Sequence, residues 1–338
     1  MNPLFVETLQ LNNYRNFKNK TLSFHQCNII TGDVATGKTN ILEALTVLLS
    51  SYLLGFQTYM SKRNIIDINK MDVRKDNLLS IYPVSVSGTF HDGKTVSRIL
   101  LDENKKTKFE QPNPFMDDNV KFENLMKEAD NSDKNEVLPI LLYLSAHRLC
   151  NPEKKTRGQK LQFWNKMKYD RLDGYYRCFD RLVDMDYLCL YLKRMCLIAY
   201  EELDGIPFPA YRVILKTLNS ALNEENQELV FTTKDDLDTI ALKYGNSKIP
   251  MINLNSGLQN LIKIILSICV RMSILNPYLK EDICKTPGII LIDELELGLD
   301  PMWQKKITNT LTELFPNVQF ICTTNSSLIL GKGQTITI

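Results

Sequence analysis

The sequence predicts an α/β fold built on a largely parallel sheet, and three observations carry that reading. The apolar stretch "KTLSFHQCNIIT" runs into the glycine loop "GDVATGKTN" and then into "ILEALTVLLSSYLLG", whose apolar residues recur on a helical period. Near the end, "GIILID", "PMWQKKITNTLTELF" and "VQFICTT" alternate buried strand and amphipathic helix. Continuous apolar strands separated by helices are what a parallel sheet covered on both faces requires.

Taken in chain order, "FVETLQLNNYRNF" reads as a first strand ahead of the strand, loop and helix just described. "YPVSVSGTFHDGKTVSRILL" alternates apolar and polar about Asp92-Gly93, a hairpin pattern, so an antiparallel β subdomain accompanies the parallel core. Residues 102–136 are polar, charged and poor in aliphatics, and read as a loop or short-helix insertion. "LPILLYLSAHR" is a buried strand; beyond it residues 151–225 turn helical, with "DYLCLYLKRMCLIAYEEL" the clearest helix. A second hairpin follows in "DTIALKYGNSKIPMINL", with Gly245-Asn246 at its tip, and then "GLQNLIKIILSICVRMSIL" as a long buried helix; "QTITI" closes the chain as a short strand. These elements divide into segments 1–150, 151–275 and 276–338, with a lobe boundary near Leu149. The sequence contains no internal repeat, and no heptad pattern is sustained, so no long coiled coil is expected.

Composition excludes several functions. The formal net charge of +2 is too small to infer nucleic-acid or membrane binding from the global field, and any such surface has to be local. Eight cysteines lie scattered without a C-x-x-C pair, several among apolar neighbours, and read as reduced core thiols of a cytoplasmic protein. The N-terminus lacks a basic region followed by an apolar one, and the longest apolar stretch, Ile41 to Phe56, is interrupted by Glu43; neither export nor a membrane span is expected. Only three histidines, His25, His91 and His147, are present and far apart, which argues against a clustered-histidine metal site.

The strongest chemical signal is Gly32-Asp33-Val34-Ala35-Thr36-Gly37-Lys38-Thr39, with Asn40 directly after it, which fits G-x-x-x-x-G-K-[ST] between a strand and a helix. The glycines let backbone N–H groups wrap a phosphate, and the helix presents its positive end to it. Lys38 reaches the terminal phosphates of a nucleotide and Thr39 can ligate Mg²⁺. Downstream, "LIDELELGLDP" places Asp293, Glu294, Glu296 and Asp300 after an apolar strand, and taken alone these carboxylates fit either a metal nuclease or a nucleotide site. Set beside the glycine loop and the scarcity of histidine, they fit the nucleotide: Asp293 for Mg²⁺ and Glu294 as the base that takes a proton from the attacking water. Glu296 receives no role.

These residues resemble the ABC-type ATPases of the P-loop class. "DELELGLDP" resembles the Walker B and D-loop run, which makes Asp300 the D-loop aspartate; "LNSGLQN", with Asn255, Ser256 and Gly257, stands where the family carries its signature motif. "FPNVQFICTTNSSLIL" resembles the terminal strand and switch loop, with Asn325 at the switch position, and Arg15 in "NNYRNF" resembles an arginine that related heads place near the nucleotide. Over residues 5–332 the chain is most similar to the SMC-, RecF- and OLD-like ATPases, and within them to the predicted ATP-binding proteins involved in virulence and to Septu- and retron-associated phage-defence ATPases; "GKTNILEAL", "DRLDGYYRCFD", "RMSILNP" and "PGIILIDELELGLDPMWQ" carry that closer likeness. The resemblance implies lobe I with the P-loop and β subdomain in 1–150, a helical lobe with the signature in 151–275, and Walker B, D-loop and switch strands in 276–338. It also implies a homodimer closed around ATP, each signature meeting the nucleotide held by the other copy.

Two departures from the family fall at positions that sense the γ-phosphate. Asn255 replaces the signature serine and Asn325 replaces the switch histidine; asparagine still donates a hydrogen bond but carries neither charge nor proton. Slow hydrolysis, or a switch that works by binding, follows as an expectation. The family's Q-loop glutamine is also missing, and Ser145, His147 and Arg148 are the candidates to replace it. The chain closes soon after the switch loop, so the effector, a nuclease or toxin, is expected to be a separate protein. The run "EKKTRGQKLQFWNKMKYDR" at 153–171 mixes basic residues with Phe163, Trp164 and Tyr169, a composition that suits DNA or RNA as well as a solvated linker. A DNA-clamping ATPase of RecF type and a slowly hydrolysing scaffold are the alternative functions.

Overall fold

A computed structural model describes residues 4–33, 35–56, 65–127, 136–150, 171–202, 209–222, 227–232, 239–329 and 333–338. Val34 and residues 153–170 of the basic run therefore lie outside the described residues. In chain order the elements are β1 (Val6–Tyr14), β2 (Phe17–Ser23), β3 (Cys27–Thr31), α1 (Lys38–Leu53), β4 (Lys75–Asp76), β5 (Leu79–Ser80), β6 (Val84–Phe90), β7 (Thr95–Leu100), β8 (Lys108–Phe109), α2 (Met116–Lys127) and β9 (Ile140–Leu144). There follow α3 (Met185–Glu202), α4 (Pro209–Leu222), β10 (Gln227–Thr232), β11 (Thr239–Tyr244), β12 (Ser247–Pro250), α5 (Ser256–Leu275), β13 (Gly288–Ile292), α6 (Pro301–Leu314), β14 (Val318–Thr323) and β15 (Gln334–Thr337).

The apolar runs assemble as their patterns require. Five strands form a parallel sheet in the order β15-β3-β14-β13-β9. Every residue of β9, β13 and β14 is buried, which explains why they are largely apolar; the buried Gln319 of β14 is satisfied by the Val6 backbone. The alternating segments form an antiparallel sheet, β2-β1-β6-β7-β8, with α1 packed between the two sheets. Burial on both sides accounts for the low amphipathicity of α1, in which Ser50 and Ser51 are buried along with the aliphatics. The stretch "KTLSFHQCNIIT", read as one strand, divides: β2 joins the antiparallel sheet and β3 the parallel one, with the turn between them fixed by Asn28, whose side chain accepts from the His25 N–H and donates to the His25 carbonyl.

Segment 151–275 is less purely helical than its sequence suggests. The expected hairpin β11–β12 gains a third strand, β10, whose "QELVFT" pairs with β11 along its whole length. The insertion at 102–136 contains the helix α2, which packs against α1. Helix α5, the only helix among the described residues long and apolar enough to cross a membrane, is 89% buried inside the fold. Of the cysteines, Cys27, Cys178, Cys189, Cys269 and Cys322 are buried, whereas Cys150 is exposed, so the core-thiol reading fails there; all eight are free.

Parallel register decides where the chemistry goes. Ile292 pairs with both Leu144 and Cys322, and Thr323 pairs with Ile30, so β3, β14, β13 and β9 end together. The loops that follow them bring Gly32–Lys38, Thr324–Asn325, Asp293–Glu294 and Ser145–Arg148 to one sheet edge, where ligands of open α/β sheets bind.

Candidate functional site

The glycine loop forms an anion cradle from its backbone. Ala35 and Gly37 have positive φ, 68° and 102°, which turns successive N–H groups inward, and α1 starts without a side-chain cap, leaving its first amides free for a ligand. A Cβ on Gly37 would lie 2.5 Å from the Asn16 amide nitrogen, so only glycine fits between the loop and the β1–β2 turn. Lys38 Nζ donates to the carbonyls of Gly32 (2.6 Å) and Asp33 (2.9 Å), which holds the ammonium at the loop.

Walker A and Walker B meet directly. Thr39 Oγ1 donates to both carboxylate oxygens of Asp293, at 3.1 and 3.0 Å, across 254 residues of sequence. Thr323 Oγ1 donates to the same carboxylate at 2.6 Å and accepts from the Glu294 N–H at 2.9 Å. A hydroxyl and a carboxylate converging beside an anion cradle form a hard oxygen donor set, which fits Mg²⁺ bound with a phosphate chain.

Glu294 stands apart from its neighbour. Its backbone adopts φ 47°, the left-handed region that residues other than glycine seldom occupy. Burial, then Asp293 and Glu296, raise its carboxyl above the usual range, against the opposing pull of Arg148 and His147. A carboxylate so placed is a competent proton acceptor.

Several parts of the site were not legible in the sequence. Glu296, which had no role, accepts from Thr324 Oγ1 (2.7 Å) and from the Asn325 N–H (2.8 Å), tying the D-loop run to the switch loop. Asn16 donates to the Thr36 carbonyl at 2.6 Å and accepts from Asn40 at 2.9 Å, so the β1–β2 turn braces the phosphate loop. Arg15 does come to the loop: it donates to Asn40 Oδ1 (2.7 Å) and to Asp72 (2.7 and 2.9 Å) and pairs with Glu43. Of the three candidates for the missing glutamine, His147 is exposed, Ser145 Oγ donates to the Arg181 carbonyl (2.6 Å), and Arg148 is wholly buried beneath Walker B.

The signature and switch residues face outward. Asn255 and Ser256 are exposed, and Asn255 caps α5 by accepting from the Leu258 N–H at 2.8 Å. Asp300 does the same for α6, accepting from the Trp303 N–H at 2.9 Å ahead of Pro301. Gly257 lies against Gly298, where a Cβ would come within 2.6 Å of the Gly298 carbonyl oxygen, so signature and D-loop touch within one chain. Asn325 is exposed beyond the end of β14. Asp293, Glu296 and Asp300 of the 293–300 run thus bond to separate partners, and the four carboxylates do not gather into one metal cluster.

Comparison with known proteins bears on the family and the fold. The model of a family described as an AAA domain matches residues 8–240, well over half of the chain. The chain belongs to the AAA domain family. A second model, described as an AAA domain, putative AbiEii toxin, Type IV TA system, matches residues 277–331 and so spans Walker B, D-loop and switch. The Retron Vc95 probable ATPase of Vibrio cholerae is 24% identical over 96% of this chain and 71% of its own length. The DNA replication and repair protein RecF of Geobacillus thermodenitrificans is 54% identical over 46 residues, 13% of this chain and 12% of that protein. Among solved structures, an Smc head domain derived from Pyrococcus furiosus superposes over 96% of this chain and 91% of its own, with a TM-score of 0.51 at 12% identity, which shows a shared fold. The chain is accordingly an ATPase of the AAA domain family with the fold of an SMC head domain.

Proposed function

We propose that this ATPase binds ATP with Mg²⁺ at the 32–39 loop, dimerises head to head around the nucleotide, and regulates a separately encoded effector, a nuclease or toxin, in anti-phage defence. The observation that carries the nucleotide reading is the contact of Thr39 with Asp293 beside the strained Glu294. In this reading Thr39 and Asp293 hold Mg²⁺, which would neutralise charge on the phosphates. Gly32 to Asn40 wrap the phosphate chain, Lys38 pairs with its terminal group, and Arg15 fixes the loop from the side. Glu294 takes the proton of the attacking water, and Glu296 keeps Thr324 and Asn325 at the same edge.

The dimer rests on the exposure of Asn255, Ser256, Asp300 and Asn325, polar groups of a nucleotide-binding family that end at solvent in one chain. A second copy would bring its Asn255–Gly257 turn over the loop of the first. The defence role is supported by the retron relative, whose similarity runs along nearly the whole chain. The local RecF similarity supports a second reading, an ATP-dependent DNA clamp.

One set of measurements separates the readings. The mass of Glu294→Gln with ATP should double relative to the nucleotide-free protein, and copurification with the products of neighbouring genes should recover an effector. A monomer under all nucleotide conditions would sink the dimer. Salt-sensitive DNA binding that requires ATP, without an effector, would replace the defence reading with the clamp.

A further inference from the structure

The Arg148 guanidinium is 0% exposed, yet its partners are three backbone carbonyls and a neutral amide. Nε donates to Asn260 Oδ1 at 2.6 Å, Nη1 to the carbonyls of Ser145 (3.0 Å) and Asp293, and Nη2 to the Glu294 carbonyl at 2.6 Å. Burial pushes the guanidinium down to about 10, so the protein holds this charge at a cost. What the cost maintains is visible in the partners. Two of the carbonyls belong to the residues on either side of the peptide that enters the left-handed conformation of Glu294. The amide belongs to the signature helix α5, one face of which grips the arginine twice: Asn260 through its side chain, and Lys263 by donating from Nζ to the Arg148 carbonyl at 3.0 Å. Asn260 in turn donates to the Leu297 carbonyl at 2.7 Å, beside the D-loop.

We propose that Arg148 is a positioning residue: it holds the Asp293–Glu294 turn in its strained conformation and ties that conformation to the signature helix through Asn260. A shift of α5 when the signature docks then reaches Glu294 through one rigid, planar group. Lysine cannot replace it, because a single ammonium does not span carbonyls on several sides. The proposal rests on the reading of Glu294 as the base, and its test is chosen to separate the two.

Arg148→Lys and Asn260→Ala are compared with the parent for ATP affinity, single-turnover hydrolysis and, without nucleotide, hydrogen exchange at the amides of Leu295 and Leu297, which donate to the carbonyls of Thr323 and Glu294. For Arg148→Lys, exchange at those two amides should rise about 10-fold while strands β9 and β14 stay protected. ATP affinity should stay within about 3-fold while hydrolysis falls about 10–100-fold, and in a Glu294→Gln background the added loss should be under about 3-fold, because the two residues act as one unit. Asn260→Ala, which leaves Arg148 in place, should lower hydrolysis about 10-fold and serves if the lysine variant does not fold. Unchanged exchange and hydrolysis, a loss of affinity in step with rate, or full multiplication of the two defects would overturn the proposal. Normal hydrolysis by Glu294→Gln alone would instead remove the base assignment, and the exchange data would still decide whether Arg148 holds the turn.

Discussion

The Walker A and B half of the site and the signature and switch half are built differently. In the first, Lys38 and Asp293 are buried, and Asp293 is bonded by Thr39 and Thr323 from two separate elements. In the second, Asn255, Ser256, Asp300 and Asn325 are exposed, and the side chains of Asn255 and Asp300 are occupied as caps of their own helices. One chain therefore brings together the residues of the proposed phosphate and metal site, while those proposed to sense the phosphate end at solvent. Function in such a molecule depends on what covers the exposed half.

The comparison can be broken most severely at the buried half. Lys38→Ala should lower ATP affinity by at least about 100-fold in a direct binding measurement; unchanged affinity would remove the loop as the nucleotide site. Next in size, Glu294→Gln should keep ATP and slow steady-state turnover by about 10²–10⁴-fold. Glu296→Gln tests the link between halves: weakening its hold on Thr324 and the Asn325 amide should reduce turnover about 10-fold with affinity preserved, and an equal loss in both would place Glu296 in binding instead. At the exposed half, Asn325→His should raise turnover a fewfold, and an unchanged rate would end the slow-switch idea. The smallest effect concerns Asn255: alanine should cost about 1 kcal/mol of stability through the lost cap, whereas serine, which also caps, should leave the melting temperature nearly unchanged.

Much of the fold was legible because its signals are local. Strand β3, the loop and α1 follow from one contiguous motif, and β13, α6 and β14 from uninterrupted periodicity. Where the reading slipped, competing patterns were short. "KTLSFHQCNIIT" holds two strands of different sheets, separated only by the turn that Asn28 ties, and β10 becomes a strand by pairing with β11 rather than through any pattern of its own.

The sequence by itself determined the α/β class, the glycine loop between β3 and α1, and the placing of Asp293 and Glu294 at the end of β13, because each depends on residues adjacent in the chain and on backbone geometry that glycine and apolar patterning impose. Tertiary structure alone decided what Glu296, Asn16 and Arg148 do. Their partners, Asn325, Thr36 and Glu294, lie 29, 20 and 146 residues away, and hydrogen bonds over such separations leave no period or spacing to read. A carboxylate with no motif position and an arginine in an ordinary turn acquire roles only when parallel register brings the ends of four strands to the same edge.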